Sequence, residues 1–154
     1  MKIFIARLAG TPVFDPVGDQ IGRVRDVVVA FAGAAPPRVH GLVVEVQPRR
    51  RVFLPITRVR GIEAGSVVFS GQINVRRFEQ RATESLVIGQ MLDLEAQVEG
   101  ERMTVLDLAM EQTRRAEWLI TKVAVVRVGQ GLGLRRRGPA RIVDWSEVSG
   151  FSAV

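Results

Sequence analysis

Apolar and polar positions alternate in short runs along the first half of the chain, and turn residues separate the runs. Runs of this length with a period of two predict strands rather than helices. Six short strands within about 70 residues predict a small barrel, because closure removes exposed sheet edges. The predicted strands lie at Ile3 to Leu8, Thr11 to Phe14, Ile21 to Phe31, Val39 to Val46, Val52 to Pro55 and Ser66 to Phe69, with a short helical turn at Ile56 to Val59.

The segment from Val75 to Glu84 breaks this pattern, because it is mostly charged or amide-bearing and has few apolar residues. We interpret it as a polar linker with helical character. The apolar residues that follow, starting at Leu86, fit either a strand or a short helix, and periodicity does not decide between the two.

The second half of the chain repeats features of the first half. Asp26 and Asp107 occupy matching strands, 81 positions apart, while Gly41 and Val123 open the next matching strands at a spacing of 82. A third matching stretch starts at Phe53 and at Ile142, 89 positions apart, and each half has an arginine triplet in the loop before it. We therefore interpret the chain as two copies of one small β unit.

These patterns predict an all-β protein of two small barrels in tandem. The predicted domains are residues 1–74 and 86–154, joined by a short, partly helical linker at residues 75–85. The first copy continues into a strand at Ser66 to Phe69, whereas the second copy stops shortly after Phe151. The second unit therefore looks truncated, and we expect this chain to be the N-terminal part of a longer protein.

Composition and charge narrow the function. The 154 residues include 22 Lys and Arg, 16 Asp and Glu, one His and no Cys, so disulfides, zinc–thiolate sites and cysteine nucleophiles are excluded. His40 alone supports no catalytic triad, and we expect a non-catalytic protein without a cofactor. No apolar run approaches the length of a membrane span, which favours a cytoplasmic location. Residues 1–77 contain 12 basic and 5 acidic side chains, so the positive charge is concentrated in the first half.

Several segments of the first half resemble the PRC-barrel family. The resemblance rests on Leu8 to Asp15, on the hairpin Gly18 to Val27 with its Ile-Gly pair, on the apolar strand Val39 to Val46, and on Phe53 to Val59 with its Pro. Repeat two has Met103-Thr104 in place of the Ile-Gly pair and Asp144 in place of Pro55. The resemblance implies a small β-barrel that serves as a binding or assembly module.

The tandem arrangement resembles, more narrowly, the N-terminal region of actinobacterial proteins that join PRC-barrels to cytosolic MgtE and CBS domains of magnesium transporters. That resemblance implies a cytosolic regulatory or assembly domain. Its implied partners are the MgtE intracellular and CBS domains of the same protein. The alternative is a ribosome maturation factor like RimM, which carries a PRC-barrel and binds a ribosomal protein. RimM has a different N-terminal barrel, so the internal repeat argues against this alternative.

Three aspartates are candidate metal ligands. Asp15, Asp19 and Asp26 fall within one predicted hairpin, and Mg²⁺ is usually held by one or two carboxylates plus water. The competing interpretation is structural, since Asp15 and Asp19 are typical turn residues and Asp26 recurs as Asp107. We favour the structural interpretation and keep Mg²⁺ as a hypothesis.

The arginines are candidate partner-binding residues. Arg forms bidentate pairs with carboxylates and phosphates, so basic loops suit an acidic protein surface or anionic lipid. Aromatic residues are not interleaved with these arginines, which makes nucleic acid the weaker partner class. The sequence leaves the oligomeric state open. The candidates are Arg49, Arg50, Arg51 and Arg58 in the first half and Arg135, Arg136 and Arg137 in the second.

Overall fold

A computed structural model describes residues 2–33, 35–47, 49–63, 65–71, 77–128 and 139–152 of the chain. The fold is all-β, as predicted, and its helical parts are single turns. None of the helices in these ranges is long and apolar enough to span a membrane. The strands are β1 (Lys2–Phe4), β2 (Pro12–Phe14), β3 (Gln20–Ala32), β4 (Ala35–Gln47), β5 (Arg50–Pro55), β6 (Val59–Glu63), β7 (Ser66–Phe69), β8 (Glu84–Leu86), β9 (Glu95–Val98), β10 (Glu101–Gln112), β11 (Trp118–Arg127), β12 (Arg141–Asp144) and β13 (Val148–Ser152). The helical turns are the 3₁₀ turns Ile5–Arg7, Ile56–Arg58 and Trp145–Glu147 and the π-helical turn Val87–Met91.

Two stretches of sequence, one predicted as a strand and one left open, both become a short strand followed by a turn. The predicted strand Ile3 to Leu8 stops at Phe4, because the Leu8 N–H donates to the Ile5 carbonyl at 2.9 Å and closes a 3₁₀ turn. The stretch from Leu86 was predicted to be either a strand or a short helix, and it contains both. Leu86 ends β8, and a helical turn starts at Val87. A turn predicted after Pro55 is present as Ile56–Arg58.

The described strands join into one sheet of thirteen strands. The main path runs β13-β9-β10-β11-β4-β3-β2-β7-β6, while β1, β12, β5 and β8 each pair with a strand of this path. The apolar run of β4 is buried on both faces, as its pattern predicts: Leu42, Val43 and Val44 are at most 1% exposed. A single hydrophobic core includes residues of both halves of the chain.

The pairing register shows that the two halves are related residue by residue. Asp26 pairs with Val43 in the first half, and Asp107 pairs with Ala124 in the second. Each residue of the first pair therefore lies 81 positions before its equivalent in the second pair. The two halves meet where β4 and β11 pair at Arg38 and Leu119, which are also 81 positions apart. A contact between a residue and its own equivalent is what a two-fold relation between the halves requires.

This register corrects one predicted correspondence. Gly41 is the equivalent of Lys122 and not of Val123, because the spacing of 81 extends through β4 and β11. The predicted spacing of 82 was therefore one position too long. Leu42 to Val44 and Val123 to Val126 are both continuous apolar runs, in which a slip of one position leaves the hydrophobic pattern unchanged.

Each half contributes its first strand to the other half. Strand β1 pairs with β10, and its equivalent β8 pairs with β3. The registers match again, since Phe4 lies opposite Ala109 and Leu86 lies opposite Val28. Packing therefore crosses the predicted boundary at residues 75–85 in both directions.

The halves differ at the end of the sheet. In the first half β7 lies parallel to β2 and antiparallel to β6. In the second half β13, the equivalent of β6, pairs directly with β9 in the antiparallel sense.

Candidate functional site

The structure separates the three candidate metal ligands. Asp15 and Asp19 lie in the turn between β2 and β3, where Asp15 Oδ1 accepts the N–H groups of Val17 at 3.0 Å and Asp19 at 2.8 Å. Asp26 lies seven residues beyond Asp19 along β3, on the order of 20 Å away at the usual rise of a strand. Across the described ranges no three Asp, Glu or His side chains form a group that could hold a metal ion.

Asp26 instead fixes the junction of the two halves. Its side chain is buried, and Oδ1 accepts the N–H groups of Val27 at 2.8 Å and Ile88 at 2.7 Å. Oδ2 accepts the N–H of Gly89 at 2.8 Å. Both oxygens thus receive donors, and two of these donors come from the π-helical turn of the other half.

Asp107 makes the reciprocal contact. Its Oδ1 accepts the N–H of Leu108 at 2.8 Å and that of Ala6 at 3.0 Å, in the 3₁₀ turn of the first half. Burial raises the pKa of both Asp26 and Asp107, although the N–H donors act in the opposite direction. These two carboxylates hold the exchanged segments in place.

The first arginine triplet lies at the tight turn between β4 and β5. Arg49 has a positive φ of 68°, and Arg49, Arg50 and Arg51 are all exposed. Arg51 Nε lies 3.8 Å from Glu45 Oε1, and Arg25 shares the same carboxylate at 3.3 Å. The second triplet, Arg135, Arg136 and Arg137, lies outside the described residues.

Arg58 lies at the other end of β5, beside a cavity of about 610 Å³. We call this cavity the linker cleft. Its floor is the stacked ring pair Phe53 and Phe78, with ring centroids 6.1 Å apart. Arg58, Arg77 and Arg81 line the cleft, and all three are exposed. The cleft therefore combines an aromatic floor with three guanidinium groups.

Backbone pairing explains why the linker forms one wall of the cleft. Arg77 pairs with Val52 on the outer edge of β5, and the Phe78 N–H donates to the Arg51 carbonyl at 2.8 Å. Phe53 lies on the outer face because strand residues alternate and its neighbours Val52 and Leu54 are buried. The linker thus protects a sheet edge that would otherwise be free to pair.

Further hydrogen bonds hold the rest of the linker. The Arg81 N–H donates to Glu84 Oε1 at 3.0 Å, and the Gln80 amide donates to the Glu84 carbonyl at 2.8 Å. Glu84 is buried, and its Oε2 lies 3.2 Å from Nδ1 of His40 on β4. His40 thereby joins the wall of the cleft.

Arg58 was among the predicted partner-binding residues, whereas Arg77, Phe78 and Arg81 were not. A signal was present, because Phe78 is an aromatic residue between charged neighbours in a stretch with few apolar residues. Nothing in the periodicity indicated that this segment would pair with β5, since among the described residues 77–83 only Arg77 is bridged and none belongs to a strand.

Two families match this chain. Residues 1–71 match the PRC-barrel domain. Residues 85–154 match a different family, the Actinomycetes SH3 domain. No curated protein matches the chain. The predicted PRC-barrel resemblance of the first half is confirmed, whereas the matches give no support to tandem PRC copies or to a resemblance to magnesium transporters.

Proposed function

We propose that this protein is a non-catalytic docking module that binds an acidic segment of a partner protein at the basic surface along β5. The observation that carries the proposal is the linker cleft, where Arg58, Arg77 and Arg81 surround the Phe53–Phe78 pair. Guanidinium groups bind carboxylates through paired hydrogen bonds, and an aromatic floor adds apolar contact. Such a combination suits a peptide that carries both acidic and apolar side chains.

Charge along β5 supports the same partner class. The exposed triplet Arg49 to Arg51 lies at one end of this strand and Arg58 lies beyond the other, so basic groups flank β5 on both sides. Among the nearby acidic side chains, Glu45 contacts Arg51 and Glu84 contacts His40. Glu79 also lines the cleft, so one further carboxylate stands against its three arginines. The positive potential of this surface would attract an acidic segment and speed its association.

The context remains the one that the sequence resemblance implies, a cytosolic assembly or regulatory domain. The link to magnesium transport rests on that resemblance alone. The MgtE intracellular and CBS domains are the candidate partners within this context. The partner's chemistry, an acidic protein segment, is the part of the proposal that the cleft supports.

A titration with an acetylated hexaglutamate peptide tests the proposal, with backbone amide NMR shifts as the readout at near-physiological salt. We expect saturable shifts at Phe53, Phe78 and Arg81. The triple variant Arg58→Ala/Arg77→Ala/Arg81→Ala should weaken binding by about tenfold or more, since each lost charge-assisted bond contributes roughly 1 kcal/mol or more. Shifts spread evenly over all basic residues, or none, would contradict the proposal.

A matched control uses basic residues of the second half. Arg102→Ala/Arg127→Ala removes two exposed arginines whose guanidinium groups pair with Glu95 and Glu101. This control should leave peptide binding unchanged. Binding to vesicles containing anionic lipid, or co-sedimentation with ribosomes, in place of peptide binding would favour the other partner classes and overturn the proposal.

The hypothesis that Mg²⁺ binds to the candidate aspartates can be tested on the same protein. Because both oxygens of Asp26 accept backbone N–H groups, we propose that Mg²⁺ does not act through this residue. A titration with MgCl₂ should produce no saturable shifts at Asp26 or Ile88. Saturable shifts confined to the stretch from Asp15 to Asp26 would instead make this hairpin a magnesium sensor.

A further inference from the structure

A second cavity opens where the two halves meet. It lies between the 3₁₀ turn Ile56–Arg58 of the first half and the hairpin of β10 and β11 in the second half. Its volume of about 510 Å³ is within the range of small-ligand sites. We call it the junction groove, and the lining residues used below are Arg38, Ile56, Thr57, Gln112, Arg115 and Trp118.

The two-fold relation between the halves places an equivalent site elsewhere in the protein, and aromatic side chains fill that site. Trp145 is the equivalent of Ile56, 89 positions later, and Phe31 is the equivalent of Gln112, 81 positions earlier. At that corner the rings of Phe31 and Trp145 lie 5.8 Å apart, and Phe151 stacks on Trp145 at 5.1 Å. Aromatic side chains from both halves therefore occupy the space whose counterpart is the junction groove.

Smaller or polar side chains replace two rings at this corner, while Trp118 lies where the other corner has Pro37. Ile56 is shorter than Trp145, and Gln112 is exposed where Phe31 packs on a neighbouring ring. The groove wall includes apolar residues such as Ile56 and Trp118, although Trp118 is only 8% exposed. A ring inserted here would repeat the contact that the other corner makes internally, and such aromatic pairs attract each other beyond the effect of their burial.

The rim of the groove selects for negative charge. Arg38 and Arg115 lie on it with Glu117, and Arg38 donates to both oxygens of Glu117 at 3.1 and 3.2 Å. The Arg38 side chain is still 61% exposed, so further guanidinium donors face solvent. Two arginines against one glutamate leave the rim with a net positive charge.

We propose that the junction groove binds an aromatic side chain of a partner peptide, next to an acidic residue that contacts Arg38 or Arg115. The aromatic ring takes the position that Phe31 occupies at the equivalent corner. The acidic residue is bound by charge complementarity with the rim. This site is separate from the linker cleft, although His40 lines both cavities. Either binding proposal can therefore be wrong while the other is right.

The test is a titration with the tripeptide acetyl-Glu-Phe-Glu-amide, monitored at the indole N–H of Trp118 and the backbone amides of Ile56 and Thr57. We expect saturable shifts at these groups. Replacing Phe by Ala in the peptide should weaken binding by about tenfold or more, because burial of a ring contributes more than 1.4 kcal/mol. Binding should also weaken at about 0.5 M NaCl, because salt screens the exposed arginines.

Filling the groove from within the protein provides the decisive variant. Ile56→Trp/Gln112→Phe installs the two rings of the other corner and should abolish the tripeptide shifts. Gln112→Phe alone changes an exposed residue, is expected to fold, and should weaken binding by about tenfold. Gln20→Phe adds the same ring at an exposed position outside the groove and should leave binding unchanged.

Three outcomes would overturn the proposal. The filled variants could bind as tightly as the original chain, the Ala peptide could bind as tightly as the Phe peptide, or the shifts could fall only at Phe53 and Phe78. The last outcome would assign the tripeptide to the linker cleft.

Discussion

The two halves of this chain follow the same path but differ at the end of the sheet and around the two cavities. Both halves have a short strand and turn, a long hairpin, and a second turn, with equivalent registers in β3 and β10 and in β4 and β11. They differ where the linker covers β5 and where Ile56 replaces Trp145. The shared contacts therefore identify what the fold needs, and the positions that differ around the cavities are the ones that the two proposed binding sites use.

The most informative shared contact is the exchange of first strands. Each half provides a turn whose N–H groups are bound by an aspartate of the other half, Asp26 in one direction and Asp107 in the other. Each aspartate would lose the donors that come from the other half if the two halves separated. We therefore expect the chain to unfold as one cooperative unit and not as two separate domains.

Removing the carboxylate at Asp26 is expected to have the largest effect on stability. Asp26→Ala leaves the N–H groups of Val27, Ile88 and Gly89 without their acceptor at a buried site, which should cost about 3 kcal/mol. Asp107→Ala should cost less, roughly 1–2 kcal/mol, since Asp107 is only partly buried. Urea denaturation followed by far-UV circular dichroism measures both values.

The control for this comparison is Asp15→Ala. Asp15 also accepts two N–H groups, but in an exposed turn where water can replace it. Its loss should cost less than either junction aspartate. Equal losses at Asp26 and Asp15 would show that the reciprocal contacts do not stabilise the junction.

The second prediction concerns a glycine that the halves do not share. Gly41 on β4 corresponds to Lys122 on β11, and a Cβ at Gly41 would lie 2.6 Å from Cζ of Phe53 and closer still to the Leu54 carbonyl oxygen. Gly41→Ala should therefore force β4 and β5 apart and cost about 2 kcal/mol. Thermal denaturation measures this cost.

Gly61→Ala is the matched control, because a Cβ at Gly61 meets no atom within 4 Å. It should change stability by less than about 0.5 kcal/mol. A loss as large as that of Gly41→Ala would contradict the close approach of β4 and β5 as the cause. Because Phe53 forms the floor of the linker cleft, Gly41→Ala should also shift the ring resonances of Phe78.

Much of the fold was predictable from periodicity. Alternation and turn residues placed β3, β4 and β5 to within a few residues, because these strands bury one or both faces and their patterns are strong. The repeat was visible in the spacing of Asp26 and Asp107. The exchange of β1 and β8 was not predictable, since strand pairing depends on contacts far apart in sequence that no local pattern encodes.

The candidate sites were less predictable than the fold. The charge of Arg49, Arg50, Arg51 and Arg58 was evident, but their placement at opposite ends of β5 required the strand to be located. The linker cleft depends on Phe78 reaching Phe53, 25 positions earlier in sequence. The junction groove depends on side chains that are absent, Trp and Phe at the positions of Ile56 and Gln112, and an absence has no signal of its own in a single sequence.

The third prediction concerns the aromatic cluster of Phe31, Trp145 and Phe151, which lies at the corner equivalent to the junction groove. Phe31→Ala removes a half-exposed ring that packs on Trp145 and should cost about 1 kcal/mol, less than a fully buried ring would. The near-ultraviolet circular dichroism of Trp145 should decrease in parallel. If a cavity opens at this corner, acetyl-Glu-Phe-Glu-amide should acquire a second site there, detected at the Trp145 indole N–H.

The smallest expected effect is a dependence of stability on pH. Burial raises the pKa of Asp26 above its ordinary value of 3.8, so the folded protein binds this proton more tightly than the unfolded chain does. The free energy of unfolding that Asp26 contributes should consequently fall as pH rises from 3.8 through the folded pKa. Asp107 should act in the same direction, because burial raises its pKa as well.

Asp26→Asn isolates this contribution, since an amide carries no charge and keeps one oxygen acceptor for Val27 and Ile88. Urea denaturation of both proteins from about pH 3 to pH 7 covers the ordinary titration range of a carboxyl group and the region above it. The stability of the original chain should decline relative to the variant as pH rises. The opposite slope would mean that the three N–H donors outweigh burial and depress the pKa of Asp26, which would make the charged junction aspartate a stabilising feature of the fold in its own right.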